Sequence, residues 1–222
     1  MFFYLLFKKA NILVANDLDT LPTNFIVSRI RNIPLVFDSH EYFPEVPELV
    51  GRKFVRNVWL FIEKTLVKRL KYCYTVCDSI ANLYKTKYGV HFEVIRNLPF
   101  RKIKQSKKDE QFNDKKVIIY HGALNIGRGI ELMIEVVRKL ENVVLLIAGK
   151  GDIEEDLKNK SIDLINTGKV VFLGRIPLED LHKYTSIAQL GFSLEENMGL
   201  NYYYALPNKL FNYIQAEIPV LV

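Results

Sequence analysis

The sequence predicts an α/β protein made of two Rossmann-like domains, each with a parallel sheet wrapped by helices. Short apolar runs bounded by turn residues alternate with longer stretches of helical period, the pattern of strands that helices cover. This pattern stops once, at the charged stretch RKIKQSKKDEQFNDKK, and then restarts. Such a stretch buries too little apolar surface to fold alone. We therefore expect a domain at 1–100, a linker at 101–116 and a second domain at 117–222.

The elements follow in chain order. The predicted strands of the first domain are Ile12–Ala15, Leu35–Asp38, Tyr74–Val76 and Phe92–Ile95. Its predicted helices are Pro22–Arg31, Lys53–Leu70 and Ser79–Tyr88, and Met1 opens inside a further helix. The predicted strands of the second domain are Val117–Tyr120, Val143–Ala148, Val170–Leu173, Leu190–Ser193 and Pro219–Val222. Its predicted helices are Ile130–Leu140, Ile153–Leu164, Pro177–Thr185 and Pro207–Ala216. No helix follows the last strand to cover its sheet face, so we expect the second domain to lack its closing helices. Because Met1 opens inside a helix, we also expect the first domain to be incomplete.

Composition excludes few function classes. The 31 Lys and Arg against 25 Asp and Glu suit contact with phosphates, anionic lipid or nucleic acid. No nucleic-acid module or aromatic-basic stripe is present, so no nucleic-acid partner is expected. Cys73 and Cys77 are too few for a four-thiolate zinc site and no HExxH motif occurs, so we expect no metal and reduced thiols in a cytoplasmic protein. The apolar opening ends at Lys8, short of the ~20 residues that a membrane span needs.

Candidate phosphate ligands lie where strands of the second domain end, because open parallel sheets bind ligands there. Gly122 permits close approach of the backbone, and Arg128 stands beside a helix start, whose free N–H groups and positive dipole end favour a diphosphate. The alternative for Arg128 is a solvated charge. Pro207 begins another helix, and we expect its first amides, on Asn208, Lys209 and Leu210, to meet the same anion.

Two further strand ends carry weaker signals. Gly149 opens a GxGD turn in which Asp152 would cap the next helix, and a turn without a ligand is an equal alternative. Ile176 follows the strand Val170–Leu173, where an apolar side chain suits a flat base or ordinary packing. In the first domain His40 follows the strand Leu35–Asp38, so it is a candidate catalytic histidine, with a purely structural histidine as the alternative.

The segment GRKFVRNVWLFIEKTLVKRLKY predicts a basic amphipathic helix. Its apolar side chains Val55, Trp59, Ile62 and Leu66 recur at helical spacing, and seven cations accompany them. Such a helix can bury its apolar residues in an anionic membrane while its cations meet the headgroups. The alternative is a helix packed on the core with a solvated basic face. A location at the inner face of the membrane follows only from the first reading.

Taken in order, ANDLDTLP, VFDSHEYFPE, YTVCDSIAN, EVIRNLPF, YHGALNIGRGIELMI, LLIAGKGD, VFLGRIP and ALPNKLFNYIQAEIPVLV resemble successive landmarks of glycosyltransferase family 4. This resemblance implies a GT-B fold and a retaining transferase that takes its sugar from a nucleoside diphosphate, without a metal. By the same resemblance His40 matches the histidine that faces the transferred sugar, and Arg128 matches a ligand of the donor diphosphate. The other matches are Gly122 under the phosphates, Ile176 on the nucleobase, and Asn208, Lys209 and Leu210 at the diphosphate.

The sequence also departs from that family. Tyr204 and Asn212 stand where members often carry two glutamates, the second of which holds the donor ribose. The amide of Asn212 can still form hydrogen bonds, but they are neutral and weaker than those of a carboxylate. Glu217 and Ala123 replace a usual glycine and arginine.

Two functions follow from this resemblance. The first is transfer of a sugar to a saccharide or lipid-linked saccharide acceptor in the synthesis of a polysaccharide or glycolipid. The second is a silent remnant that at most binds a nucleotide or a partner.

Overall fold

The computed structural model describes residues 1–49, 51–101, 112 and 115–222. Most of the linker predicted at 101–116 lies outside these residues. The chain divides into two compact units, one formed by Met1–Asn97 with Asn197–Leu206 and the other by Leu98–Glu196 with Pro207–Val222. Both units contain a parallel sheet with helices, so the predicted α/β class is confirmed.

The first unit has a four-stranded parallel sheet in the order β1-β2-β3-β4. Its strands are β1 (Leu13–Asn16), β2 (Leu35–Ser39), β3 (Tyr72–Thr75) and β4 (Glu93–Val94). Its helices are α1 (Phe2–Phe7), α2 (Asp17–Arg31), α3 (Lys53–Leu66) and α4 (Asp78–Tyr88). Alternate strand residues, among them Ala15 and Phe37, join helix residues in one buried core. This alternation follows from the two-residue period of a strand.

The second unit has a five-stranded parallel sheet in the order β7-β6-β5-β8-β9. Its strands are β5 (Lys116–His121), β6 (Val143–Ala148), β7 (Val170–Gly174), β8 (Leu190–Phe192) and β9 (Val220–Leu221). Its helices are α5 (Ile130–Lys139), α6 (Glu154–Lys160), α7 (Ile162–Asn166), α8 (Leu178–Ile187) and α10 (Asn208–Gln215). Two apolar clusters cover the two faces of this sheet, which explains why its central strands are continuously apolar.

The segment 197–206 joins the first unit, although the sequence placed it in an unbroken second domain. It contains the short helix α9 (Leu200–Tyr204), which was not predicted. Asn201 is buried, its Oδ1 accepts a hydrogen bond from the backbone N–H of Tyr42 at 2.9 Å, and its Nδ2 donates to Glu41 Oε2 at 3.3 Å. Leu206 packs against the core of the first unit. These contacts, rather than chain proximity, decide where the segment belongs.

Several predicted helix ends are wrong. Helix α2 begins at Asp17 and contains Pro22, which the sequence took as its start. The helix predicted at Ile153–Leu164 is two helices separated at Ser161, whose Oγ donates to the carbonyl of Leu157 at 2.7 Å. Side-chain capping by Asp152 was also predicted, but α6 begins at Glu154 without a side-chain cap.

Helix α3 ends at Leu66 and continues as a 3-10 turn to Arg69. Of the stripe that the sequence offered to a membrane, Trp59, Ile62 and Leu66 pack against the core of the first unit, and Val55 is exposed.

Glu63 of α3 is fully buried beneath three tyrosines. The hydroxyl of Tyr88 donates to its Oε1, and the hydroxyls of Tyr42 and Tyr84 each lie 3.4 Å from the carboxylate. Lys87 Nζ is 3.2 Å from the same Oε1. Burial raises the pKa of Glu63 above its ordinary 4.5, against the opposing hydrogen bond from Tyr88 and the charge of Lys87.

This raised pKa predicts a pH dependence of stability. Because the folded protein binds the Glu63 proton more tightly than the unfolded chain, the stabilisation is full below pH 4.5 and is lost as the pH rises through the folded pKa. We expect Glu63→Gln to lose less stability than the native protein between pH 4.5 and about 8. Thermal unfolding at both pH values measures the difference, with Glu48→Gln, at an exposed carboxylate, as the matched control. Equal losses in the native protein and Glu63→Gln would contradict the prediction.

Candidate functional site

The candidate residues of the second unit surround the carboxyl end of β5. The chain leaves β5 first towards β6 and β7 and later returns to its other side with β8, so the strand order reverses at this point. Ligands of open parallel sheets bind at such a switch point. The strands β5, β6 and β8 end here at His121, Ala148 and Phe192.

Gly122 and Gly149 bring the loops after β5 and β6 into direct contact. The N–H of Gly122 donates to the carbonyl of Ala148 at 2.9 Å, and the N–H of Gly149 donates to the carbonyl of Gly174 at 2.8 Å. A Cβ atom on Gly149 would lie 1.8 Å from the carbonyl oxygen of Gly122. Both glycines also have a positive φ, 143° and 150°. Loop packing therefore accounts for Gly149 without a ligand contact, and its donor role stays a prediction.

Arg128 and Lys209 converge on a single carboxylate, that of Glu195. Arg128 Nη1 donates to Glu195 Oε1 at 3.2 Å, and Lys209 Nζ donates to the same oxygen. Ser193 Oγ donates to the other oxygen, Oε2, at 2.7 Å. The ammonium of Lys209 also lies 4.6 Å from the centre of the Tyr120 ring. Two of the predicted phosphate ligands are thus brought together, around an acid that the sequence did not single out.

Burial shapes the charges of this cluster. Lys209 is only 6% exposed, and burial lowers its pKa against the opposing charge of Glu195. Burial also disfavours the charged form of Glu195, but Lys209, Ser193 and Arg128 together bring its pKa below the ordinary value. Two cations and one carboxylate leave a net positive charge in a largely buried place. Such a place favours an anion more strongly than a solvated surface would.

His121 lies beside this cluster at the end of β5. Its ring meets that of Tyr213 edge to face, with centroids 4.7 Å apart. Burial, and then the charge of Lys209, lower its pKa to about 4, so the ring is neutral at pH 7. Its buried Nε2 has no hydrogen-bond partner within the described part of the chain. Sequence alone provides no reason to select His121, because only the folded sheet brings its neighbours together.

The start of α10 differs in one respect from the prediction. Asn208 is its first residue and is exposed, and Lys209 turns inward. The N–H of Leu210 donates to the carbonyl of Pro207 at 3.0 Å, so it is not available to an anion as predicted. The amides of Asn208 and Lys209 remain those that lack an intrahelical acceptor.

The two predicted nucleoside contacts lie further along the second unit. Ile176 is half-buried in the loop between β7 and α8. Asn212 is one turn beyond Lys209 on α10 and lines a mainly apolar cavity of about 280 Å³ with Leu178 and His182 of α8.

In the first unit, His40 directly follows β2 and is exposed. Its Nε2 lies 3.3 Å from Asp38 Oδ2, and its Nδ1 lies 3.7 Å from Asp17 Oδ2. The hydroxyl of Tyr74 donates to Asp38 Oδ2 at 2.6 Å, and the backbone N–H of His40 donates to Asp17 Oδ1 at 2.9 Å. Burial raises the pKa of Asp17, against the opposing effect of His40. The two carboxylates orient the imidazole at the end of the strand, where the sequence placed it.

Within the described ranges, no group of three acidic, histidine or cysteine side chains is arranged to hold a metal ion. No helix of the same ranges is long and apolar enough to cross a membrane. Cys73 and Cys77 are buried free thiols, and burial raises the pKa of Cys73 to about 12.

Two units with open parallel sheets, one of them with Lys209 buried and Arg128 half-buried at its topological switch point, define a protein of the parallel α/β class, in which ligands bind at such a point. Residues 101–221 match the model of the family described as "Glycosyl transferases group 1". The chain therefore belongs to the group 1 glycosyltransferases. No curated protein sequence matches it.

Solved structures of glycosyltransferases share the fold. HepE from Anabaena, in complex with UDP and glucose, is 17% identical, with a TM-score of 0.72 over 95% of this chain and 58% of its own. Sucrose-phosphate synthase from Thermosynechococcus elongatus is 16% identical, with a TM-score of 0.76 over 95% and 55%. A mutant of TarM from S. aureus, in complex with fondaparinux, α-GlcNAc-glycerol and UDP, is 15% identical, with a TM-score of 0.63 over 94% and 40%. The predicted GT-B fold is confirmed, and the chain spans between 40% and 58% of these proteins.

Proposed function

We propose that the second unit binds the diphosphate of a nucleoside-diphosphate sugar for a glycosyltransferase reaction. The observation that carries this proposal is the convergence of Arg128 and Lys209 on Glu195 at the switch point of the sheet. Arg128 precedes α5 and Lys209 lies in the first turn of α10, so both cations stand at helix N-termini, where the helix dipoles also favour an anion. Membership of the glycosyltransferase family makes a sugar nucleotide the expected source of that anion.

The chemistry follows from where negative charge develops. When the bond between sugar and diphosphate breaks, the leaving diphosphate gains charge, and fixed cations in a buried place stabilise it without reorganising. Arg128 and Lys209 supply those charges, and the amides of Asn208 and Lys209 add donors at the start of α10. A metal-free diphosphate site of this kind agrees with the family resemblance.

Further parts of the function rest on the resemblance of the sequence. His40, oriented by Asp17 and Asp38, hydrogen-bonds to the transferred sugar, and the reaction retains the anomeric configuration. Gly122 lies under the phosphates, Ile176 meets the nucleobase and Asn212 meets the ribose. The acceptor is a saccharide or a lipid-linked saccharide, and the reaction takes place in the cytoplasm. Peripheral contact with an anionic membrane, through the cations of the basic helix α3, is a further part of this proposal.

Calorimetric titration with UDP tests the donor site, since UDP is bound in the HepE structure that shares this fold. We expect Arg128→Ala to weaken UDP binding by about 10- to 100-fold, the loss of charge-assisted hydrogen bonds to a phosphate. The matched control is Arg138→Ala on α5, whose exposed guanidinium pairs with Asp163 and Glu135. This control should bind UDP as the native chain does. Equal affinity of Arg128→Ala and the native chain would remove Arg128 from the site.

A second candidate function is nucleotide binding without turnover. It is favoured by the share of the relatives that the chain spans, 58% of HepE and 55% of sucrose-phosphate synthase. Transfer needs donor and acceptor in near-attack geometry, a contribution of about 7–11 kcal/mol. UDP binding without transfer or hydrolysis of a UDP-sugar would favour this function, and sustained turnover would exclude it.

A further inference from the structure

His121 is a buried histidine at the carboxyl end of β5, and one of its ring nitrogens is unused. The residue is only 5% exposed. Its ring packs edge to face against Tyr213 of α10, and its backbone N–H donates to the Tyr213 hydroxyl at 3.4 Å. The nitrogen Nε2 is buried and has no hydrogen-bond partner among the residues that the structure describes. Because buried polar groups are nearly always hydrogen-bonded, packing alone does not explain a histidine at this position.

Two groups of α10 face the imidazole. The hydroxyl of Tyr213 is neutral, because burial raises its pKa above the ordinary 10. The second group is Lys209, whose positive charge adds to the effect of burial and opposes protonation of the ring. Lys209 is paired in turn with Glu195, which also accepts from Arg128. The structure thus places a neutral imidazole beside two fixed cations.

A diphosphate bound at Lys209 reverses this electrostatic balance. Its negative charges offset those of Lys209 and Arg128, and they act in a largely buried place, where charges interact more strongly than in water. An anion within about 4–6 Å of an imidazole favours its protonated form. Histidine is the side chain whose charge such a change can switch near neutral pH. A lysine at position 121 would instead carry a permanent third positive charge, which Arg128 and Lys209 would repel in the absence of an anion.

We propose that His121 is a further residue of the donor site, and that its imidazole takes up one proton from the solvent when a nucleoside-diphosphate sugar binds at Lys209. The imidazolium is then a third cation beside the diphosphate, and it stabilises the negative charge that the leaving diphosphate gains during transfer. The proton comes from the buffer and returns to it when the nucleotide dissociates. This proposal rests on the proposed function, because it needs a diphosphate at the start of α10.

Calorimetric titration with UDP-glucose tests the uptake of a proton. UDP-glucose is bound in a HepE structure that shares this fold. Its diphosphate is esterified at both ends, so it does not itself titrate near pH 6 as a terminal phosphate does. We expect the binding enthalpy at pH 6 to change with the ionisation enthalpy of the buffer, in the direction of proton uptake by the complex.

Proton uptake also predicts how the affinity for UDP-glucose depends on pH. A diphosphate that restores the ordinary pKa of 6.5 to His121 should make binding about tenfold tighter at pH 5.5 than at pH 7.5. The gain is present at low pH because the complex binds the proton more tightly than the free protein, and it is lost as the pH rises through the pKa of the complex.

Nuclear magnetic resonance measures the same change on the native chain, without any substitution. The sequence contains four histidines, so the ring signal of His121 can be followed during a pH titration. The pKa of His121 should rise from about 4 in the free protein to about 6.5 or above in the complex with UDP-glucose.

His121→Gln keeps a polar amide in the same place but cannot titrate. This variant should bind UDP-glucose with much less proton uptake at pH 6 and with equal affinity at pH 5.5 and pH 7.5. Its matched control is His91→Gln, at an exposed histidine beside Glu93, which should keep the proton uptake and the pH dependence of the native chain. Burial also lowers the pKa of Lys209, but proton uptake by Lys209 would persist in His121→Gln and is thereby distinguished.

Three results would overturn the role of His121 and leave the donor site in place. The first is binding of UDP-glucose to the native chain without proton uptake. The second is an uptake in His121→Gln as large as in the native chain. The third is a pKa of His121 that UDP-glucose does not change. Absence of UDP-glucose binding at both pH values would instead overturn the donor site, and the role of His121 with it.

Discussion

Gly149→Ala is expected to destabilise the second unit by about 3–5 kcal/mol, which is a large part of the stability of a typical domain. The added Cβ would lie 1.8 Å from the carbonyl oxygen of Gly122, so the loops after β5 and β6 would have to separate. The φ of 150° adds strain, because residues with a side chain rarely adopt this backbone angle. Urea denaturation followed by circular dichroism measures the loss, and UDP titration shows whether the loop geometry at the switch point survives.

Gly168→Ala is the matched control for Gly149→Ala. Gly168 also has a positive φ, 67°, but no atom lies within 4 Å of its added Cβ. The substitution should therefore cost only the backbone strain, about 1–2 kcal/mol. If Gly149→Ala cost no more than Gly168→Ala, the contact between the two loops would not matter for stability, and the structural account of Gly149 would fail.

Parallel strands and their order in the chain could be predicted from the sequence because their signal is local. Val117–Tyr120 and Val143–Ala148 are unbroken apolar runs, and the structure covers both faces of their sheet with helices. Arg128 and Lys209 could also be placed, since each stands at a helix start that the sequence predicts. Strand ends and helix starts are properties of a few neighbouring residues.

Glu195 and α9 could not be predicted because their partners are distant in sequence. Glu195 stands in the polar run SLEEN, where nothing distinguishes it from Glu196 until the fold brings Arg128 and Lys209 to it. Residues 197–206 join the first unit through the contact of Asn201 with Tyr42, which is 159 residues away. For a related reason the sequence left open whether Trp59, Ile62 and Leu66 of α3 face a membrane or the core, because only packing decides between the two.

Glu195→Gln is expected to strengthen UDP binding and to weaken the protein without a ligand. In the structure the carboxylate neutralises one of the two charges that would otherwise meet a diphosphate. Removing a buried unit charge within a few ångströms of the phosphates should raise UDP affinity by about 10- to 100-fold, taking an effective dielectric constant of about 20. The same change leaves Arg128 and Lys209 facing each other without an anion, at a cost of about 2–4 kcal/mol in the free energy of unfolding.

The gain in UDP affinity and the loss of stability have the same cause, so they can be tested together. A bound diphosphate relieves the repulsion between Arg128 and Lys209, so the rise in melting temperature on adding UDP should be larger in Glu195→Gln than in the native chain. Calorimetry gives the affinity, and thermal unfolding with and without UDP gives the stability. Glu196→Gln, at an exposed neighbouring carboxylate, is the control and should change neither quantity. Weaker UDP binding by Glu195→Gln would show that Glu195 holds Lys209 in the position that the donor needs, and the idea that the carboxylate competes with the phosphates would be wrong.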